Sequence, residues 1–136
     1  MTEFRRVTDQ LSVSPQIGLD DLAAAAAQGF TLVINNRPDG EDPSQPPSAV
    51  VEAAARAAGL DYAHIPVRGQ PTPEQVEEER AILEAAEGPV LAFCRSGTRS
   101  IVTWSLGEAQ AGARSRDELV RLGAEAGYDL SGVLPR

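Results

Sequence analysis

Short apolar runs alternate along this chain with longer helix-forming stretches, and that alternation constrains the fold more than any other feature. Phe30-Thr31-Leu32-Val33-Ile34 and Pro89-Val90-Leu91-Ala92-Phe93 are the clearest runs and have the look of buried parallel strands. Asp61 to Val67 reads as another strand, and residues 4–13 as one or two short edge strands. Helices are expected between them. Leu19 to Gln28 opens with Asp20 and Asp21 and stops at Gly29. Ser48 is read as the cap of a helix to about Ala58. Thr72-Pro73-Glu74-Gln75 supplies a cap, a first-turn proline and the returning side chain of a capping box, starting a helix to about Ala86. Further helices are expected from about Ser100 to Gln110 and, capped by Ser115, through about Ala126. Strands alternating with helices predict one α/β domain over residues 1–136: three layers, with a mostly parallel central sheet of four or five strands. Ligands bind such sheets at the carboxyl ends of the strands. That edge gathers three loops, Asn35 to Pro47, Arg68 to Thr72, and Cys94 to Ser100.

Composition removes several classes of function. A chain of 136 residues buries roughly two thirds of its unfolded surface, so it needs neither disulfide nor metal to fold. The single cysteine, and a start (MTEFRRVTDQ) without the apolar core of a signal sequence, point to the reducing cytoplasm. No apolar run reaches the roughly 20 residues of a membrane span. A net charge of −8 argues against nucleic acid as a partner. All twelve basic residues are Arg, which excludes lysine Schiff-base chemistry. No metal or other cofactor is expected.

The run Cys94-Arg95-Ser96-Gly97-Thr98-Arg99-Ser100 lies between a buried strand and a helix. A tight loop there turns successive backbone N–H groups inward as an anion cradle, and the following helix adds the positive end of its dipole. Both favour a thiolate, and Arg99 adds a full charge. Gly97 allows a positive φ or a close approach to ligand. Arg99 can grip an oxyanion with two parallel hydrogen bonds. Ser96 or Ser100 can donate to the sulfur or to a leaving group. A lone cysteine is ordinarily a small buried apolar residue, but such a residue needs no glycine, arginine and helix start around it. The counter-case is equally plain: a Cys94 sealed beneath packed side chains would not be a catalyst.

The loop resembles two enzyme classes. Cysteine-dependent phosphatases place Arg six residues after Cys; here that position is Ser100, and Arg99 is five after. Rhodanese-type sulfurtransferases have the shorter Cys-Arg-x-Gly-x-Arg loop, which Cys94 to Arg99 matches, and a smaller cradle suits a persulfide sulfur better than a tetrahedral phosphate. The flanks point the other way. Leu32 to Arg37, Tyr62 to Val67 and the helix from Thr72 to Ala86 look like a dual-specificity phosphatase. Those enzymes carry an Asp soon after the second strand to protonate the leaving oxygen, where this chain has Arg68-Gly69-Gln70-Pro71-Thr72 and no carboxylate. Losing that acid costs about 10²–10⁴-fold; Glu74 and Asp39 are the substitutes within the sequence. Taken together, Ser14 to Ile17, Gly29-Phe30, Ile34 to Glu41, His64 to Val67 and Cys94 to Ser100 resemble the β-lactamase-hydrolase-like protein, phosphatase-like domain family. The resemblance implies a cysteine-phosphatase-like fold and leaves the chemistry open between phosphatase and sulfur transfer.

The leading expectation is a cytoplasmic sulfurtransferase carrying a sulfane sulfur as a Cys94 persulfide, with phosphate-ester hydrolysis through a phosphocysteine as the alternative. A non-enzymatic module sensing an anion or persulfide ranks third. Cys94 and Arg99 are the expected catalytic residues. Arg95, Ser96, Gly97, Thr98, Ser100, Arg37 and Arg68 would bind a small anion, thiosulfate or persulfide in one case and a phosphate ester in the other. Asp39 or Glu41 would orient an arginine of the loop. His64 is read as structural, Trp104 as core, and Glu77-Glu78-Glu79-Arg80 as a solvated helix face.

Overall fold

The computed structural model describes residues 3–135. In chain order the elements are β1 (Arg5–Arg6), β2 (Leu11–Ser14), α1 (Asp21–Ala27), β3 (Leu32–Asn35), α2 (Ser48–Ala57), β4 (Asp61–His64), α3 (Pro73–Ala85), β5 (Val90–Phe93), α4 (Thr98–Gln110) and α5 (Arg116–Glu125). The strands form one sheet in the order β1-β2-β5-β3-β4, parallel except for the antiparallel β1. Side chains alternate across this sheet. Val33, Leu91 and Phe93 face Leu22 and Ala25 of α1 and Val51 and Ala55 of α2. Ile34, Val90 and Ala92 face the other way, against Leu83 of α3, Ile101 and Trp104 of α4, and Leu119 of α5. The result is a three-layer α/β fold with β5 at its centre. Each fully buried Leu, Ile or Phe contributes about 1.5–3 kcal/mol, and β5, flanked on both sides and covered on both faces, is apolar throughout.

The capping box at the start of α3 forms as its sequence requires: Thr72 Oγ1 accepts from the Gln75 amide at 3.1 Å, and Gln75 Oε1 accepts from the Thr72 amide at 3.0 Å. Ser115 caps α5 by accepting from the Glu118 amide. Three expectations need correction. Leu11–Ser14 is not an edge strand; it lies between β1 and β5 and is buried throughout. Ser48 does not cap α2; the cap position is Pro47, Asp39 Oδ1 accepts from the Ser48 amide at 2.8 Å, and the Ser48 hydroxyl instead bonds the Tyr62 hydroxyl at 2.6 Å. Glu79 is not on a solvated face; it is 1% exposed, because the turn of α3 that carries it packs inward. Among the described residues, no helix is long and apolar enough to cross a membrane.

Candidate active site

Four parallel strands end at one edge, and their last residues are knitted together. The Asn36 amide donates to the Phe93 carbonyl at 2.8 Å, and the Val67 amide donates to the Asn36 carbonyl at 2.9 Å. On the other flank of β5 the Gln16 amide donates to the Arg95 carbonyl at 3.1 Å. These bonds fix where Arg37, Arg68 and Cys94 leave the sheet.

Cys94 follows β5 and is fully buried. Burial alone would make it a core residue, but its surroundings are polar. The Gly97 amide donates to Sγ at 3.1 Å, and the sulfur lies within the field of the Arg99 guanidinium, whose pKa is raised chiefly by Glu41. Gly97 has φ +92°, a conformation an L side chain adopts only under strain, and a Cβ there would run into the Tyr128 hydroxyl. That hydroxyl donates to the Ser96 carbonyl at 2.8 Å, and the Arg5 guanidinium lies 5.2 Å above the Tyr128 ring. The loop is therefore pinned from outside by a residue the motif does not contain. Burial raises the Tyr128 pKa. Beyond Gly97 the chain enters α4 at Thr98, two residues before the expected start. Ser96 Oγ donates to Thr98 Oγ1 at 3.0 Å, and Arg95, Ser96 and Thr98 stand exposed around the loop. Ser100 Oγ is buried with no hydrogen-bond partner.

A cavity beside the loop is lined by Arg37, Glu41, Asp42, Arg95 and Arg99. Arg99 is oriented by Glu41, which accepts from Nη1 at 2.7 Å and from Nη2 at 2.8 Å. Nη1 also donates to the Val67 carbonyl at 2.8 Å. Of the five guanidinium N–H groups this leaves Nε–H and one on Nη2, the pair along the side edge that binds an oxyanion in a fork. Glu41 further accepts from Arg37 Nε at 3.1 Å, and Arg37 Nη1 donates to Gln16 Oε1 at 3.0 Å. Held by Arg99 first, then Arg37, the Glu41 carboxyl is pulled down to about 2. It is thus an anion at every physiological pH and is lost as a partner only when pH falls toward that value.

The other candidates are placed differently. Asp39 holds the start of α2 through the Ser48 amide, away from the Arg99 clamp. Arg68 is exposed and is not among the residues lining the cavity. His64 Nε2 lies 2.9 Å from the Arg37 carbonyl, a structural contact. Asp42 lines the cavity and escaped attention within its Asp-Pro-Ser turn. Tyr128 carried no motif at all.

Replacing Glu41 with Gln should free Arg99 without emptying the site. The expected result is a fall in kcat/KM of about 10–100-fold with an unchanged fold, since small misplacements of a gripping group have effects of that size. Steady-state kinetics alongside circular dichroism would check it. An unchanged kcat/KM would mean that Glu41 does not position Arg99.

A family model described as "Beta-lactamase hydrolase-like protein, phosphatase-like domain" matches residues 3–112. The Beta-lactamase hydrolase-like protein of Agrobacterium fabrum is 40% identical over 126 residues, which are 92% of this chain and 29% of that protein. The chain thus spans less than a third of the length of the curated relatives it matches. Among solved structures, a candidate phosphatase from Neisseria meningitidis superposes with a TM-score of 0.83 and 34% identity, covering 93% of this chain and 90% of that one. P. aeruginosa TpbA, crystallised with pTyr, superposes with a TM-score of 0.67 and 16% identity, covering 92% and 75% of the two chains, a likeness of fold.

Proposed function

The chain belongs to the β-lactamase hydrolase-like protein, phosphatase-like domain family, and from that membership we propose that it is a cysteine-dependent phosphatase acting on phosphate monoesters. The observation that carries this reading is the convergence of Arg37, Arg95 and Arg99 on one cavity beside the Cys94 loop. Their three positive charges exceed the two carboxylates, Glu41 and Asp42, in the same lining, which leaves it attractive to a phosphoryl anion. The solved relative named as a candidate phosphatase and the pTyr-bound structure of the same fold add support. The order of preference drawn from the loop length and the missing acid, sulfur transfer before phosphate hydrolysis, is therefore reversed.

In this mechanism the Cys94 sulfur attacks phosphorus and the ester P–O bond breaks. Loop amides and the side edge of Arg99 hold the non-bridging oxygens, and water then hydrolyses the phosphocysteine. Because Cys94 has no exposed surface at rest, substrate must first part the loop or move Arg99, which lines the cavity beside it.

Sulfur transfer remains the second reading, favoured by one observation: Arg99 is five residues after Cys94, the spacing of the smaller cradle. One paired assay tests both. Purified protein is given an aryl phosphate, or thiosulfate with cyanide, and the intact mass is read after quenching. Phosphate release with a phosphoryl adduct on Cys94 is expected. Thiocyanate production with a single extra sulfur on Cys94, and no phosphate release, would replace this function with the second.

A further inference from the structure

Cleaving the phosphate ester of a strongly basic alcohol needs a proton for the departing oxygen. Around this cavity the acids are either held by other partners or, like Glu74, exposed on the first turn of α3 and absent from the lining. Glu41 is an anion clamped between Arg37 and Arg99. Asp42 Oδ1 accepts from the Ser44 amide at 2.8 Å and from the Ser44 hydroxyl at 2.6 Å, and these bonds lower its pKa further. Asp39 is spent on the α2 start, and His64 on the Arg37 carbonyl. The Tyr128 phenol donates its hydrogen bond to the Ser96 carbonyl. Glu79 is the one carboxyl that burial keeps protonated, but it is sealed in the core against Asn36. The connection from Arg68 to Thr72 contains no acid. Among the described residues, then, the site can collect a dianion with three arginines and has no placed proton donor for what leaves.

We propose that the substrate is a phosphoryl donor whose leaving group departs without a proton, an acyl phosphate above all; this rests on the phosphatase reading. In the first half-reaction the Cys94 thiolate forms an S–P bond while the P–O bond to the acyl oxygen breaks, its electron pair leaving on a carboxylate. A carboxylate, with a proton affinity near pKa 4, is stable in water as it departs. In the second, water attacks phosphorus, the S–P bond breaks, and the pair returns to sulfur. Both hydrogens of the water leave on dihydrogen phosphate, which then sheds a proton to solvent. No oxidant, metal or second substrate is needed.

The test is a leaving-group series on the intact chain: aryl phosphates whose phenols span pKa values from about 4 to about 10, with acetyl phosphate alongside. The expected result is a steep line, kcat/KM falling about 10³-fold or more across the series, with acetyl phosphate at the fast end. A line flat to within about tenfold means that a proton is supplied to the leaving oxygen; it would overturn the inference and leave the phosphatase standing. An Asp42→Asn variant that turned a shallow line steep would identify that donor and overturn the inference equally. No turnover of any ester or of acetyl phosphate would remove the phosphatase and the inference together.

Discussion

Cys94→Ser is expected to abolish phosphate-ester turnover, with kcat falling by at least about 10⁴-fold. The substitution exchanges sulfur for oxygen and keeps the shape of the loop: the Gly97 amide that donates to Sγ at 3.1 Å has an oxygen to donate to instead. What is lost is the nucleophile. A serine hydroxyl attacks only when a neighbouring base takes its proton. The one histidine of the chain is turned to the Arg37 carbonyl, and Glu41 is consumed by two guanidiniums. Neither is free to play that part. The variant should still bind inorganic phosphate, because Arg37, Arg95 and Arg99 are untouched. Phosphate release and a calorimetric phosphate titration on the same preparation separate the two effects. Residual turnover within about tenfold of the parent would place the chemistry on some other group and dissolve the case for Cys94 as nucleophile.

Much of this architecture can be read from local pattern, and most of what cannot depends on contacts between residues distant in sequence. Val90–Phe93 and Leu32–Asn35 are apolar enough that only a covered strand suits them, and the Thr72–Gln75 box forms from side chains within one turn. Information of that kind is carried by neighbours in the chain. The place of Leu11–Ser14 beside β5 is not, since nothing in four residues says which strand will flank them. The same holds for the choice between Asp39 and Glu41. They stand two residues apart in one turn, yet one faces α2 and the other faces Arg99. Tyr128 reaches the cysteine loop only because the chain beyond α5 folds back toward the start of α4, a contact that spans 32 positions of sequence. The cysteine loop is legible as a strand-to-helix turn because Cys94, Gly97 and the start of α4 follow one another in sequence, and the Gly97 amide donates to Sγ.

Glu79 was illegible for the opposite reason: it sits in the run Glu77-Glu78-Glu79-Arg80, where charge suggests water on every side. The fold instead leaves it 1% exposed, with Oε1 accepting from Asn36 Nδ2 at 2.8 Å and Oε2 without a partner. Burial is the dominant influence and raises the carboxyl to about 8; the Asn36 bond opposes it, and the Glu78 charge adds to it slightly. The folded pKa therefore stands above the ordinary value of 4.5. Between these two values the unfolded chain releases this proton and the folded chain keeps it. Stability from this group is complete below about pH 4.5, declines as pH rises, and is gone above about pH 8. A tenfold change in proton affinity is worth about 1.4 kcal/mol, so the loss across this window is on the order of 5 kcal/mol, a large share of what holds a small domain together. Glu79→Gln keeps the shape, carries no charge, and should flatten this dependence. Denaturant midpoints measured at about pH 5 and about pH 8.5 would show the parent losing several kcal/mol that the variant does not lose. The consequence reaches the active site, because the Asn36 that Glu79 supports also ties the residue before Cys94 to the segment that follows β4. Ionising Glu79 loosens the floor on which the cysteine loop rests, so the parent should lose activity on the alkaline side at lower denaturant than the Gln variant. Parallel pH profiles of stability for the two proteins would mean that Glu79 is ionised in the fold after all, with a partner that burial and geometry do not reveal.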